Sequence, residues 1–207
     1  MICECFHFMG AQNVEVNMIE IRMHGRGGQG AVVACKILAS ALYKEGKFAQ
    51  SFPSFGVERR GAPVMAFTRI DNKPIHLRTE IYEPDHLIIL DATLLQSVNV
   101  TTGLKPGGKI LINSALPAAQ FQLPDSFIVK TIDASQIAVI HGLGTRATPI
   151  VNTAILGAFS KFTGIVGLNA IESAILEYVP VKAEANVKAT HEAYQMLKAE
   201  NPADLVV

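Results

Sequence analysis

Between residues 19 and 52 the hydrophobic period of the chain changes twice. "IEIRM" (19–23) alternates apolar and polar positions, the two-residue period of a strand. From Gln29 to Glu45 the apolar residues recur at helical spacing, with Val33, Ile37 and Ala41 in one stripe and Cys35, Leu38 and Leu42 in another. A helix apolar on two faces is expected to be mostly buried, with Cys35 as a core residue. Gly46 is placed to end it, and "KFAQSF" (47–52) predicts the next strand. "VMAFTRI", "DNK" and "PIHLR" read as a β-hairpin over 64–78, with its turn at Asp71 to Lys73.

Downstream the alternation of strand and helix continues. "HLIILD" (86–91) is a continuous apolar run closed by an acid, the pattern of a central parallel strand. A helix is expected from Ala92 to Thr101, then strands at 107–114 and 127–133 and a helix near 134–141. Val151, Ile155, Ala158 and Phe162 form one helical stripe. Further helices are expected at 168–178 and 182–199, the last with Val187, Tyr194 and Leu197 facing inward. This succession implies an α/β fold, a three-layer sandwich around a mixed, mostly parallel sheet with a β-hairpin insertion. Residues 1–17 read as an N-terminal extension, and 18–207 as a single α/β domain. In such folds ligands collect at the C-terminal ends of the strands, where the loops at 24–30, 53–62, 91–93, 113–117 and 141–149 are expected to gather.

Charge and cysteine content narrow the classes of function. The formal net charge is zero, against a broad nucleic-acid surface. No run approaches the length of a membrane-spanning helix, and "MICECFHFMGAQ" lacks the basic start and cleavage site of a signal peptide, so the expectation is a cytoplasmic chain. The cysteines Cys3, Cys5 and Cys35 are too few for a disulfide framework or for a standard iron–sulfur cluster within one chain. Cys3 and Cys5 fall in the extension. No histidine pair has metal-ligand spacing; His24 and His141 flank glycine loops, with capping or solvent exposure as their default role.

Candidate chemistry centres on "MHGRGGQG" (23–30), where Gly25, Gly27 and Gly30 have G-x-G-x-x-G spacing between a predicted strand and a predicted helix. Such a loop lets backbone approach an anion, and the amides of the following helix point toward it. A tight turn with no ligand has the same spacing. A dinucleotide site wants an acid at the end of the second strand, but that strand ends Gln50-Ser51-Phe52-Pro53. A P-loop is excluded, because no Lys-Ser/Thr pair follows the glycines. The loop after the second strand holds Glu58-Arg59-Arg60, and adjacent arginines can grip phosphate in a planar, bidentate way. Arg26, Arg59 and Arg60 would then line one electropositive pocket floored by backbone amides. An interface loop whose arginines pair with another chain is the equal alternative, and Glu58 reads as ion-paired.

Several longer stretches are recognisable: "IRMHGRGGQG", "FAQSFPSFGVERRGAPVMAFTRI", "PDHLIILD" and "NTAILGAFSKFTGIV". In this order they resemble the gamma subunit of the 2-oxoacid:ferredoxin oxidoreductases, and "ERRGAP" is similar to the pyruvate branch of that family. The resemblance spans residues 19 to about 198. It implies a multi-subunit enzyme that oxidatively decarboxylates a 2-oxoacid to an acyl-CoA and passes electrons to ferredoxin. The partners it implies are alpha, beta and delta subunits and, through the complex, ferredoxin. Thiamine diphosphate, magnesium and iron–sulfur clusters are expected in those partners, and coenzyme A as a substrate bound here. The residues it suggests for CoA are Gly25, Arg26, Gly27, Gly28, Gln29, Gly30, Arg59 and Arg60, with Asn113 as a further candidate. Two other readings stay open: an architectural subunit that binds no ligand, and a nucleotide-binding oxidoreductase domain.

Overall fold

The computed structural model describes residues 18–54 and 59–197. Cys3, Cys5, Glu58 and the proposed 1–17 extension lie outside the described residues. Six strands form one mixed sheet: β1 (Ile19–Arg26), β2 (Phe48–Pro53), β3 (Pro63–Asp71), β4 (His86–Ile89), β5 (Lys109–Asn113) and β6 (Ile128–Ile132), in the order β2-β3-β1-β4-β5-β6. The pairs β1–β4, β4–β5 and β5–β6 are parallel, while β3 runs antiparallel to both β1 and β2. The apolar runs of β4 and β5 sit in this parallel half, where both faces of a strand are covered.

One face of the sheet carries a thick helical layer. It is built from α1 (Ala31–Lys44), α3 (Ala134–Ile140), α4 (Ala154–Thr163), α5 (Leu168–Tyr178) and α6 (Ala183–Met196). Ile21, Met23, Ile88 and Leu111 of the sheet pack there against Ile37, Leu38, Ile155, Phe159 and Ile175. The other face is thinner: Leu87, Ile89, Ile110 and Ile112 lie beneath Leu94 of α2 (Leu94–Ser97), Val100, Leu104 and the 3-10 turn Ala118–Phe121. No helix among the described residues is long and apolar enough to cross a membrane.

The α/β class and its mixed sheet are as the alternating pattern implied, and four local expectations are corrected in whole or in part. The antiparallel insertion is not a hairpin over 64–78. Asp71 Oδ1 does accept the amides of Asn72 and Lys73 to make a turn, but 74–78 forms no strand. Both edges of β3 are already occupied by β1 and β2, so no ladder is open to that segment. The helix expected over 92–101 shrinks to the four residues of α2, because Val98, Asn99, Val100, Thr101 and Thr102 are poor helix formers. Val33 of α1 is 43% exposed, while Ile37, Ala41 and Cys35 are buried as the stripes require. Leu197, at the C-terminal cap of α6, is buried and Val187 packs half-buried against the core as expected, but Tyr194 is only half-buried. The innermost positions are Asn186, Ala189, Thr190 and Ala193, small or polar residues that let α6 lie close on α4.

Candidate functional site

Strand register alone brings the glycine and arginine loops together. In the β1–β3 ladder Gly25 faces Val64 and Arg26 faces Pro63, so the segment before β3 must run beside the glycines that follow β1. Beyond the strands the contact continues as an isolated bridge between Gly27 and Arg60. Gly27 N donates to the Ala62 carbonyl at 2.9 Å, and Gly61 N donates to the Gly27 carbonyl at 3.0 Å. A Cβ on Gly27 would run into the carbonyl oxygen of Arg59. The second glycine of the motif thus serves close approach of backbone, but the backbone it admits is the arginine loop.

Arg26 is tied into the chain through all three guanidinium nitrogens. Its Nε meets Asp91 Oδ2 at 2.9 Å, Nη1 donates to the Gly61 carbonyl at 3.1 Å, and Nη2 donates to Thr93 Oγ1 at 2.8 Å. Gln29 is similarly engaged: Oε1 accepts Arg26 N at 2.7 Å and Nε2 donates to Asp91 Oδ2 at 3.2 Å. The other oxygen of Asp91 accepts the Thr93 hydroxyl at 2.6 Å and the Thr93 amide at 3.0 Å. Partial burial alone would raise the Asp91 carboxyl, but the hydrogen bonds from Thr93, Gln29 and Arg26 outweigh it and hold the group below its usual range. Asp91 and Thr93 were not among the expected site residues. Their signals in the sequence are the acid closing the "HLIILD" run and the place of the 91–93 loop at the C-terminal end of a strand.

Arg59 and Arg60 stand differently. Both are exposed, and among the described residues neither guanidinium has a polar partner. Beside them Gly28 is exposed as well. Gly30, with φ of 80°, is the N-cap of α1; no side chain caps this helix and no acid stands in its first turn. Among the described residues, then, neither the positive end of the helix nor the two cations beside it has a compensating side chain. A Cβ on Gly30 would press on Asn152, whose Nδ2 lies 3.5 Å from the Gly30 carbonyl, so the 141–152 loop also reaches this end of the sheet. Asn152 was likewise not foreseen. Gly25 packs against Leu90 and Gln29 under the loop.

Asn113 is turned inward, on β5, two strands over from β1. Its Nδ2 donates to the Leu90 carbonyl at 2.9 Å and to Ser135 Oγ at 3.0 Å, and its Oδ1 accepts Ser135 N at 3.2 Å. It ties α3 to β4 and β5. His24 is neither a cap nor exposed: it is 3% exposed and accepts at Nε2 from Arg22 Nε at 3.1 Å. Burial, and then the Arg22 charge, push its pKa down to about 3, partly opposed by the Val100 backbone, so the ring is neutral. His141 caps α3 and pairs with Glu192 Oε2 at 2.6 Å.

This geometry offers an anion cradle, with backbone amides, a helix N-terminus and two arginines. Among the described residues it offers no acid–base pair, since Asp91 is fully engaged and His24 is buried and neutral. Among the described residues no group of His, Cys, Asp or Glu is arranged to hold a metal, and the thiol of the buried Cys35 is pushed up to about 12 by burial. Those residues therefore supply no donor set for an iron–sulfur cluster. The sheet order also disfavours a dinucleotide. In dinucleotide-binding folds the second strand lies next to the first; here β3 separates β2 from β1, so the end of β2 is displaced from the glycine loop.

Comparison with known proteins gives the arrangement a family. Residues 20–196 match the family described as Pyruvate ferredoxin/flavodoxin oxidoreductase. The chain is 55% identical over 183 residues to the pyruvate synthase subunit PorC of Methanocaldococcus jannaschii, covering 87% of this chain and 98% of that protein. It is 52% identical over 184 residues to the pyruvate/ketoisovalerate oxidoreductases common subunit gamma of Thermococcus kodakarensis, covering 86% and 96%. The crystal structure of the pyruvate oxidoreductase subunit PORC of Thermotoga maritima superposes with a TM-score of 0.74 at 35% identity, over 89% of this chain and 99% of that one. The chain belongs to the pyruvate ferredoxin/flavodoxin oxidoreductase family.

Proposed function

We propose that this chain is the gamma subunit of a cytoplasmic 2-oxoacid:ferredoxin oxidoreductase acting on pyruvate, and that its own part is to bind the phosphates of coenzyme A. The reaction of the complex converts pyruvate and CoA to acetyl-CoA and CO2, with two electrons passed to ferredoxin. Its relatives are named as subunits of pyruvate synthase or of pyruvate/ketoisovalerate oxidoreductases, and the chain spans nearly their whole length. Alpha, beta and delta subunits are the partners of this reading. Thiamine diphosphate, magnesium and iron–sulfur clusters belong to those partners, where they supply the decarboxylation and electron transfer.

The observation that carries the CoA role is the pair Arg59 and Arg60, exposed and, among the described residues, without polar partners beside the uncapped start of α1. CoA offers a pyrophosphate and a 3′-phosphate, each able to accept paired hydrogen bonds from a guanidinium. Gly28 and the amides around Gly30 supply backbone donors. Arg26, Gln29 and Asn113 act by holding the loops, since each is already tied by side-chain hydrogen bonds within the chain. No residue of this chain takes part in bond breaking; the subunit orients CoA so that its thiol meets the acyl group made elsewhere in the complex.

In the assembled enzyme, replacing both arginines (R59A with R60A) is expected to raise the CoA KM at least about tenfold, from the loss of charge-assisted bonds at a solvated site, with the pyruvate KM unchanged. Equal change in both constants, or failed assembly alone, would instead show an architectural loop.

A further inference from the structure

We propose that Asp91 is a positioning residue for the CoA site: acting through Arg26, its carboxylate sets where the Arg59–Arg60 loop stands. This rests on the CoA reading above. One side chain joins three segments here. Oδ2 accepts from Arg26 Nε of β1 and from Gln29 Nε2 of the glycine loop, and Oδ1 accepts from Thr93 of the segment after β4. Arg26 extends the connection, because Nη1 holds the Gly61 carbonyl, one residue beyond Arg60. Thr93 Oγ1 closes the ring by accepting from Arg26 Nη2 while donating to Asp91 Oδ1.

The consequence is a division of labour among the three arginines. The charge of Arg26 is matched by Asp91 and each of its three nitrogens already donates one hydrogen bond, so among the described residues near the glycine loop Arg59 and Arg60 are the cations whose charge is not already matched. Their backbone is fixed on two sides, by the Gly27 bridge and by Arg26 on Gly61. A phosphate clamp gains from such preorganisation, because a loop already in place loses less freedom on binding. The isosteric change D91N attacks this link with little change in volume. It places an amide nitrogen or a weaker acceptor against the Arg26 and Gln29 donors, which no rotamer of asparagine can satisfy on both sides.

The test uses the assembled enzyme. D91N is expected to raise the CoA KM roughly fivefold, with pyruvate KM and kcat at saturating CoA unchanged, and to speed hydrogen exchange at the Gly27 and Gly61 amides. Added to R59A with R60A, D91N is expected to change the CoA KM much less than it does alone, since the two side chains it positions are gone. If D91N prevents assembly, Thr93→Val removes the bridging hydroxyl and is expected to act in the same direction. Unchanged CoA KM or unchanged exchange in D91N or T93V, or an equal added loss in the arginine-free background, overturns the inference and leaves the CoA reading standing if the arginine variant alone raises the CoA KM. No effect of the arginine variant overturns both.

Discussion

Gly27 and Arg60 are bridged backbone to backbone, so the loop bearing the two exposed arginines is fixed to the glycine that follows β1. The distance allows no side chain on Gly27, because a Cβ there would occupy the place of the Arg59 carbonyl. G27A is therefore expected to push the arginine loop away. The cost expected is about 1–3 kcal/mol of stability, as for other overpacked sites. A raised CoA KM and a lowered Tm in the same variant would match this. A variant with wild-type Tm and wild-type kinetics would show that the two loops are not held as described.

The exposure of Arg59 and Arg60 makes their contribution sensitive to salt. Exposed charges are screened over about 10 Å at 0.1 M ionic strength. The CoA KM is expected to rise roughly two- to fourfold when monovalent salt is increased severalfold, and the pyruvate KM much less. In the variant lacking both arginines the CoA response is expected to flatten. An unchanged salt response in that variant would place the phosphate contacts on other residues.

His24 gives a prediction about acid stability. Its folded pKa, about 3, lies below the ordinary 6.5, so the unfolded chain takes up a proton first as pH falls. Stability held by the neutral ring is complete above pH 6.5 and is lost progressively as pH drops toward 3. The loss amounts to about 2–3 kcal/mol by roughly pH 4.5, at 1.4 kcal/mol per pH unit. H24N keeps an acceptor for Arg22 and removes the titration. Unfolding curves across pH 4.5–7 are expected to show a shallower acid slope for H24N than for the wild type, and equal slopes would contradict the assignment.

The fold was legible in the sequence where hydrophobic period decided it. The runs of β4 and β5 and the α4 stripe at Ile155, Ala158 and Phe162 lie where the period put them, and Val151 of the same stripe is buried just ahead of the helix. The pattern misleads where tertiary pairing decides. The 74–78 segment has a strand's composition, but β3 is already paired on both edges. In the site, types of residue were readable and their states were not. Arg26, Arg59 and Arg60 look equivalent as letters, yet only Asp91, 65 positions after Arg26, distinguishes the engaged one from the others. Asn113 has the residue type of a ligand contact but is committed to Ser135 and Leu90. Such partners come from distant segments and leave no local spacing to read.

The most direct measurement is equilibrium binding of CoA and of 3′-dephospho-CoA to the assembled enzyme, wild type against R59A with R60A. If this chain holds the CoA phosphates, the wild type binds CoA more tightly than the dephospho form. The double variant then loses at least about tenfold in CoA affinity, and much of that preference with it. Unchanged CoA affinity in a fully assembled double variant would contradict the account, and the arginine loop would then be an interface between subunits.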